Sequence, residues 1–253
     1  MKDRLAVVTG AAQGIGAAVV DALVRRGARV AALDIQVGPL QEMAARHGAR
    51  VRPYAVDLRN SREVGEVVDA IEAGMGEIDM LAQVAGILRM GSVTALSDED
   101  WEATFALNTH GVFYLARAVA QRMVPRRRGA IVTVGSNAAA VPRMQMAAYA
   151  ASKAAACHFT KCLGLELAGS GIRCNIVSPG STDTAMQRQM WRSEQDAERV
   201  IAGSLGDFKT GIPLGRIARP EAIADAVVFL LGDEARHITL HDLRVDGGAT
   251  LGV

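Results

Sequence analysis

The sequence LAVVTGAAQGIG, residues 5–16, decides the fold of this 253-residue chain. It starts as a short apolar strand, and the loop that follows at once has glycine at positions 10, 14 and 16. A helix-like run, Ala17–Arg26, comes next, and a second apolar strand, Arg29–Leu33, ends on Asp34. Strand, glycine loop, helix, strand and acidic residue in this order predict a dinucleotide-binding unit.

Each part of this unit suits one part of a dinucleotide. Glycines let the backbone approach the pyrophosphate, whose charge is favourable at the N-terminus of the following helix. Asp34 lies 24 residues after Gly10, near the offset of an acid that bonds the adenosine ribose hydroxyls. The same carboxylate repels a 2′-phosphate, and the neighbouring Gln13 and Ile35 carry no compensating charge. We therefore predict NAD as the cofactor.

Strand-like and helix-like segments alternate through the rest of the chain without a linker, repeat or low-complexity run. This alternation predicts one α/β domain over residues 1–253, with a Rossmann-type doubly wound sheet of seven parallel strands flanked by helices. The polar segment 181–208 has no strand pattern and predicts a substrate lid at about residues 184–210. The five further strands are expected at residues 51–56, 78–84, 131–134, 173–177 and 243–245.

The composition excludes several classes of protein. With 28 Lys and Arg against 27 Asp and Glu, neither nucleic acid nor an anionic membrane is expected as the main partner. The N-terminus lacks the apolar core of a signal peptide, and no apolar run is long enough to span a membrane. Cys157, Cys162 and Cys174 are odd in number and lack paired spacing, so we expect neither disulfides nor a metal site. A cytoplasmic enzyme with a small-molecule substrate fits these features.

Tyr149 and Lys153 are the strongest candidates for catalysis. Four residues apart on a helix, they lie on one face, where a cation near a phenol favours the phenolate and so proton transfer. Ser136 ends the apolar run 130–135, which we expect to bring it to the same sheet edge. The alternative is an ordinary Tyr and Lys pair on an exposed helix.

Three further positions follow strands or interrupt a helix. Asp57 ends the third strand, where it could bond an adenine amine or cap the next helix. Ala85-Gly86 ends the fourth strand and could contact a cofactor through its backbone. Asn108 is polar within an apolar helix expected at Asp98–Met123; it could kink the helix, hold water through its carbonyl, or be a satisfied core amide.

Over essentially its whole length the chain resembles the short-chain dehydrogenase/reductase family. The resemblance implies that Tyr149 transfers the proton, Ser136 orients the substrate hydroxyl, Lys153 lowers the pKa of Tyr149 and binds the nicotinamide ribose, and Asn108 anchors a water relay. The matching elements are Thr9-Gly10-x-x-x-Gly14-Ile15-Gly16, Asp57, Asn108, Ser136, Tyr149-x-x-x-Lys153, and Pro179-Gly180 with Thr184. The cofactor-binding residues expected in total are Gly10, Gln13, Gly14, Ile15, Gly16, Asp34, Asp57, Leu58, Ala85, Gly86, Tyr149, Lys153, Pro179, Gly180, Thr182 and Thr184.

Residues 86–91, 167–175, 178–184, 211–215 and 245–252 are similar to family members that act on dihydro aromatic acids. This similarity implies oxidation of 2,3-dihydro-2,3-dihydroxybenzoate to 2,3-dihydroxybenzoate, a catechol acid used in siderophores. The alternative substrate has a 2-amino group, 2,3-dihydro-3-hydroxyanthranilate, and gives 3-hydroxyanthranilate. The sequence departs from the pattern twice: Gln83-Val84 replaces an Asn-rich loop, and Asn137 stands where an acid is expected.

A carboxylic acid substrate needs a cationic partner. Arg143 is our first choice because it lies between the two catalytic elements, and Arg89 and Arg188 are the rivals; each could instead be a solvated surface charge. Methionines at 90, 146, 186 and 190 could form an adaptable apolar wall or plain core. The substrate residues predicted are Arg143, Asn137, Met146, Met186, Gln187 and Arg188.

The family resemblance also implies a homotetramer built on the helices expected at Asp98–Met123 and Ala150–Leu167. Apolar residues there, such as Phe113, Leu115 and Phe159, suit either an interface or the core. A rival function is a cofactor-sensing binding protein that keeps the fold and has lost turnover. The complete set of catalytic residues argues against that rival.

Overall fold

Seven parallel strands form one sheet, which confirms the predicted fold class. The computed structural model describes residues 1–191 and 195–251. Along the sheet the strands follow the order β3-β2-β1-β4-β5-β6-β7, so the strand order reverses between β1 and β4 while every strand stays parallel. In sheets of this kind ligands bind at the carboxyl edge, beside that reversal. The strands are β1 (Leu5–Thr9), β2 (Arg29–Asp34), β3 (Val51–Ala55), β4 (Ile78–Gln83), β5 (Gly129–Val134), β6 (Ile172–Pro179) and β7 (Asp242–Val245).

Helices cover both faces of the sheet. Three differ from the predicted bounds. The first helix begins within the glycine loop, and the helix expected at Ala150–Leu167 begins at Ala147. The helix expected at Asp98–Met123 is interrupted by a π-helical turn, Ala106–Gly111. The helices of the described residues are α1 (Gly14–Arg25), α2 (Val37–His47), α3 (Ser61–Met75), α4 (Asp98–Phe105), α5 (Val112–Arg126), α6 (Ala147–Leu167), α7 (Ala185–Arg188), α8 (Gln195–Ala202) and α9 (Pro220–Leu231).

The core has two halves, one on each side of the sheet. Side chains of β1 alternate between them: Leu5 and Val7 pack with residues of α3 and α5, whereas Ala6 and Val8 pack with residues of α1 and α9. Every residue of β1 is buried, as expected for a parallel strand covered on both faces. Of the apolar residues on α5, Leu115 is core, whereas Phe113 is 38% exposed.

The predicted lid contains more secondary structure than its polar sequence indicated. Its described residues form α7, α8 and a 3-10 turn, Leu205–Asp207, with a backbone bridge between Ser204 and Lys209; residues 192–194 lie outside the described part. A second bridge joins Thr182 to Ala218 at the base. Among the helices described, none is both long and apolar enough to cross a membrane.

Candidate active site

A cavity of about 400 Å³ opens at the carboxyl ends of β1, β2 and β4. Eleven of the predicted cofactor residues line it, together with Met186 from the predicted substrate set. Those eleven are Gly10, Gln13, Gly14, Ile15, Gly16, Asp34, Asp57, Leu58, Ala85, Gly86 and Thr184. The predicted cofactor residues that do not line it are Tyr149, Lys153, Pro179, Gly180 and Thr182. Lining residues that sequence reasoning did not assign to the cofactor include Arg59, Ile87, Ala103 and Leu107.

The glycine loop is packed too tightly for any other residue. Gly10 has φ +63°, and a Cβ there would lie 2.9 Å from the Ala85 Cα atom. A Cβ on Gly16 would lie 2.0 Å from the Gly10 carbonyl oxygen. The Thr9 hydroxyl accepts hydrogen bonds from the backbone N–H groups of Val84 (2.9 Å) and Ala85 (3.1 Å), which ties the loop to the end of β4. The loop is therefore a rigid backbone surface at the cavity.

The N-terminus of α1 is available to an anion. The Gln13 side chain at the N-cap makes no capping hydrogen bond, and the first turn carries no acidic residue. The first N–H groups of a helix have no partner within it, so they can bind a pyrophosphate. The Thr184 methyl carbon lies 3.3 Å from where a Gly14 Cβ would be, so Thr184 covers this end of the loop. The cradle fits a dinucleotide.

Asp34 and Asp57 lie at the ends of β2 and β3. The carboxylate of Asp34 accepts hydrogen bonds from the backbone of Ala12 (3.1 Å) and Gln36 (3.0 Å), which fixes its position. Asp57 accepts three charge-assisted hydrogen bonds from the guanidinium of Arg59 (2.9, 3.1 and 2.7 Å), which hold the pKa of Asp57 below its usual range. The N-cap of α3 is Asn60, so the helix-cap alternative for Asp57 is wrong.

Ser136, Tyr149 and Lys153 come together where β5 ends and α6 begins. The Ser136 side chain lies near enough to the Tyr149 phenol to lower its pKa. The Ser136 oxygen also accepts from the backbone N–H of Ala138 (3.1 Å), which orients the serine. One turn along α6, the Lys153 ammonium lies 5.9 Å from the centre of the Tyr149 ring. This is the arrangement that the sequence predicted for proton transfer at a hydroxyl.

The electrostatic role of Lys153 stays a prediction. Its ammonium is buried and donates to the carbonyl oxygen of Val134 (2.8 Å). Burial lowers the pKa of Lys153 to about 8. Burial also raises the pKa of Tyr149, against a smaller lowering influence of the Ser136 side chain. Desolvation is the largest influence on both the Tyr149 phenol and the Lys153 ammonium in this structure.

Asn108 lies in the π-helical turn, so its helix is irregular at this residue. Its amide is fully engaged: the oxygen accepts from the Ile87 N–H (2.9 Å), and the nitrogen donates to the Ile87 carbonyl (2.9 Å) and the Ser152 hydroxyl (3.0 Å). Ser152 in turn donates to the Tyr149 carbonyl (2.8 Å). The side chain is thus a satisfied core amide that links β4 to α6, and the water relay remains a prediction.

The two departures from the family pattern have separate explanations. Gln83 is buried and donates to the Thr133 hydroxyl (3.3 Å), so it faces the core while Val84 lines the cavity. Asn137 is also buried, and its amide nitrogen donates to the carboxylate of Asp246 (3.3 Å). Sequence reasoning did not assign Asp246 to the site, although Asp246-Gly247-Gly248 marks the end of the last strand.

Of the three candidate arginines, Arg143 best suits a carboxylate. It is half-buried, and no hydrogen bond or ion pair joins its guanidinium to another residue in the described ranges. Burial lowers the pKa of Arg143, and the charge of Asp246 raises it. Arg89 pairs with Asp100 (3.3 Å), and the exposed Arg188 pairs through two bonds with Asp183.

The remaining predicted substrate residues lie at different places in the fold. Met146 directly precedes α6, and its backbone bridges to Gly91. Met186 lines the cofactor cavity, and the Gln187 N–H is capped by the Thr184 hydroxyl (3.2 Å). Met90 is 45% exposed, so it is not an interior wall in this structure.

Because Lys153 is buried, we expect the stability of the folded protein to depend on pH. Below pH 8 the folded protein must bury a charge, whereas between pH 8 and the ordinary pKa of 10.5 only the unfolded chain holds that proton. The free energy of unfolding therefore increases as the pH rises across this window. We expect Lys153→Met to be more stable than the parent by about 2 kcal/mol near pH 7, with the difference fading by about pH 10. Urea unfolding of both proteins at a series of pH values measures it.

The exposed Lys209 supplies the control, because Lys209→Met should show no such trend. A stability difference between Lys153→Met and the parent that does not change with pH would contradict the assigned cause.

Comparisons with known proteins agree on one family. A family model described as short chain dehydrogenase matches residues 4–195. The 2,3-dihydro-2,3-dihydroxybenzoate dehydrogenase of Bacillus subtilis (strain 168) is 55% identical to the chain over 256 residues, which cover 100% of this chain and 98% of that protein. A vibriobactin-specific 2,3-dihydro-2,3-dihydroxybenzoate dehydrogenase of Vibrio cholerae serotype O1 is 45% identical over 97% of this chain and 95% of its own length. The crystal structure of levodione reductase superposes with a TM-score of 0.92 at 25% identity, covering 98% of each chain.

Proposed function

The chain belongs to the short-chain dehydrogenase/reductase family, and from that premise we propose that it oxidises 2,3-dihydro-2,3-dihydroxybenzoate to 2,3-dihydroxybenzoate with NAD. The observation that carries the proposal is the unpaired, half-buried guanidinium of Arg143, on the segment between Ser136 and Tyr149. A carboxylate bound to Arg143 is therefore held by the same chain segment that carries the two residues predicted to bind and deprotonate the hydroxyl. The product is a catechol acid, which suits siderophore assembly or related metabolism.

The protein's residues divide the chemistry between them. Arg143 binds the ring carboxylate, Ser136 holds the reacting hydroxyl, and the Tyr149 phenolate removes its proton. When bound, the oxidised nicotinamide accepts the hydride from the carbon that bears the reacting hydroxyl. The C–H and O–H bonds of the alcohol become a carbonyl, and the resulting dienone tautomerises to the phenol. The gain of an aromatic ring makes the overall oxidation nearly irreversible.

The choice of NAD over NADP rests on charge at the adenosine end of the cavity. Asp34 is held in place by two backbone hydrogen bonds and repels a 2′-phosphate. Arg59 lines the same cavity, but its guanidinium is engaged by Asp57 through three bonds, so it is not free to bind phosphate. Because Asp57 neutralises the Arg59 guanidinium, the presence of this cation does not argue for NADP, and NAD stays the proposed cofactor.

Oxidation of each dihydro acid by the purified protein tests the proposal. With 2,3-dihydro-2,3-dihydroxybenzoate and NAD we expect steady NADH formation, with a kcat/KM at least about 10-fold lower for NADP because repulsion at Asp34 costs more than 1 kcal/mol. A higher kcat/KM for 2,3-dihydro-3-hydroxyanthranilate would assign the 2-amino substrate instead. Absence of turnover with both acids, alongside oxidation of a simple secondary alcohol, would replace the proposal by a general alcohol dehydrogenase.

The proposal extends to a cytoplasmic homotetramer with a lid at about residues 184–210. Support for the assembly comes from the outer surfaces of α5 and α6, where Phe113 packs edge-on against Phe159 and remains 38% exposed. Leu165, on the same helix as Phe159, is 71% exposed. Apolar side chains of this size on two neighbouring helices suit contact with a second copy.

A further inference from the structure

Asp246 lies just beyond β7, close to Gly180 at the end of β6 and to Asn137 after β5. It is 9% exposed. A Cβ on Gly180 would lie 2.6 Å from the Asp246 Cβ atom, so glycine at the exit of β6 is what lets the two segments approach. The Gly180 N–H donates to the Val245 carbonyl (3.1 Å), which holds the two strand ends together. The carboxylate therefore has a fixed position.

Both oxygens of this carboxylate accept a hydrogen bond. One accepts from the Gly248 N–H (3.0 Å), and the other accepts from the Asn137 amide nitrogen (3.3 Å). Because a carboxylate only accepts hydrogen bonds, it can pair only with the nitrogen side of an amide. The carbonyl oxygen of the Asn137 side chain is thereby turned away from Asp246.

Asn137 directly follows Ser136 and begins a 3-10 turn. Its backbone carbonyl already accepts from the N–H groups of Ala140 (3.2 Å) and Val141 (3.1 Å). The side-chain oxygen is therefore the acceptor that Asn137 has left for a ligand. An acid at this position would repel Asp246, which explains why an amide suits this chain.

We propose that Asp246 is a positioning residue for substrate recognition: it orients the Asn137 amide so that its oxygen accepts a hydrogen bond from the C2 substituent of the substrate. The inference rests on the proposed function, because Ser136 must hold the C3 hydroxyl for Asn137 to meet the next ring position. A hydroxyl or an amine at C2 can donate this bond, whereas a ring without a C2 substituent cannot.

Product affinity tests the inference. Binding of 2,3-dihydroxybenzoate and of 3-hydroxybenzoate to the NADH-bound protein is measured by calorimetry for the parent, Asp246→Asn and Asn137→Ala. We expect the parent to bind 2,3-dihydroxybenzoate about 10-fold more tightly than 3-hydroxybenzoate, since one buried hydrogen bond is worth about that factor. The ratio of the two affinities should fall toward one in both variants, because an Asn at 246 accepts either orientation of the Asn137 amide.

Asp242→Asn is the matched control. This half-buried acid begins β7, at the end of the strand away from Asp246, so the ratio should stay at the parental value. An unchanged ratio in Asp246→Asn, or an equal loss of affinity for both ligands, would overturn the inference. The proposed function fails separately, through absence of NADH formation from the dihydro acid by the parent protein.

Discussion

Replacing Tyr149 by phenylalanine is expected to lower kcat for the proposed dihydro acid by about 10³-fold while leaving the affinity for NAD within about 2-fold of the parental value. The phenol is the residue that receives the hydroxyl proton, and its partner Ser136 cannot replace it because a serine hydroxyl is a far weaker acid. The cofactor cradle is built from the glycine loop and the end of β4, which the substitution does not touch. Initial-rate kinetics and fluorescence titration with NADH give the two quantities.

Tyr54→Phe is the control for this experiment. Tyr54 lies on β3, outside the cavity lining, and its buried hydroxyl has no hydrogen-bond partner among the described residues, so its loss should leave kcat unchanged. Unimpaired NADH production by Tyr149→Phe would refute the mechanism. That result would also revive the rival view of the protein as a cofactor-sensing module in which turnover is incidental.

Arg143→Met is expected to raise the KM for the dihydro acid about 10²-fold with a much smaller change in the KM for NAD. Methionine keeps most of the apolar stem of the arginine and removes the charge. A half-buried, charge-assisted hydrogen-bonded pair with a carboxylate is worth roughly 2–3 kcal/mol, which corresponds to this change in KM. Steady-state kinetics with each substrate varied in turn separates the two constants.

The rival arginines provide matched controls. Arg188→Met and Arg89→Met remove guanidinium groups that are already paired with Asp183 and Asp100, so the KM for the acid should change less than about 3-fold. A neutral amide analogue of the substrate should bind the parent and Arg143→Met equally. A larger rise in KM for either control than for Arg143→Met would transfer the carboxylate site to that residue.

Much of the fold could be predicted because its signals are local in the sequence. The fully buried β1 is a continuous apolar run, as parallel strands covered on both faces are. Gly10 and Gly16 are spaced as a tight turn requires, and the structure shows the contacts that make them necessary. The spacing of Tyr149 and Lys153 placed both on one helix face for the same local reason.

Side-chain partners were less predictable because they depend on burial and on residues far along the chain. Helical spacing brings Lys153 near Tyr149, but it does not show that the ammonium bonds the Val134 carbonyl and that burial dominates both pKa values. The apolar pattern of the helix expected at Asp98–Met123 continues through the π-helical turn, so only Asn108 hinted at it. The partner of Asn137 lies 109 residues away.

The position of β7 at the edge of the sheet has a consequence for how the protein loses and gains activity. This strand follows the other six along the chain. It pairs with β6 alone, so its local opening needs less free energy than opening of the central strands. Transient fraying of β7 would separate Asp246 from Asn137 while the cofactor cradle on β1, β2 and β4 stays intact. Mild denaturant should therefore erode discrimination between ring substituents before it releases NAD, and a nascent chain should bind cofactor before it can select its substrate.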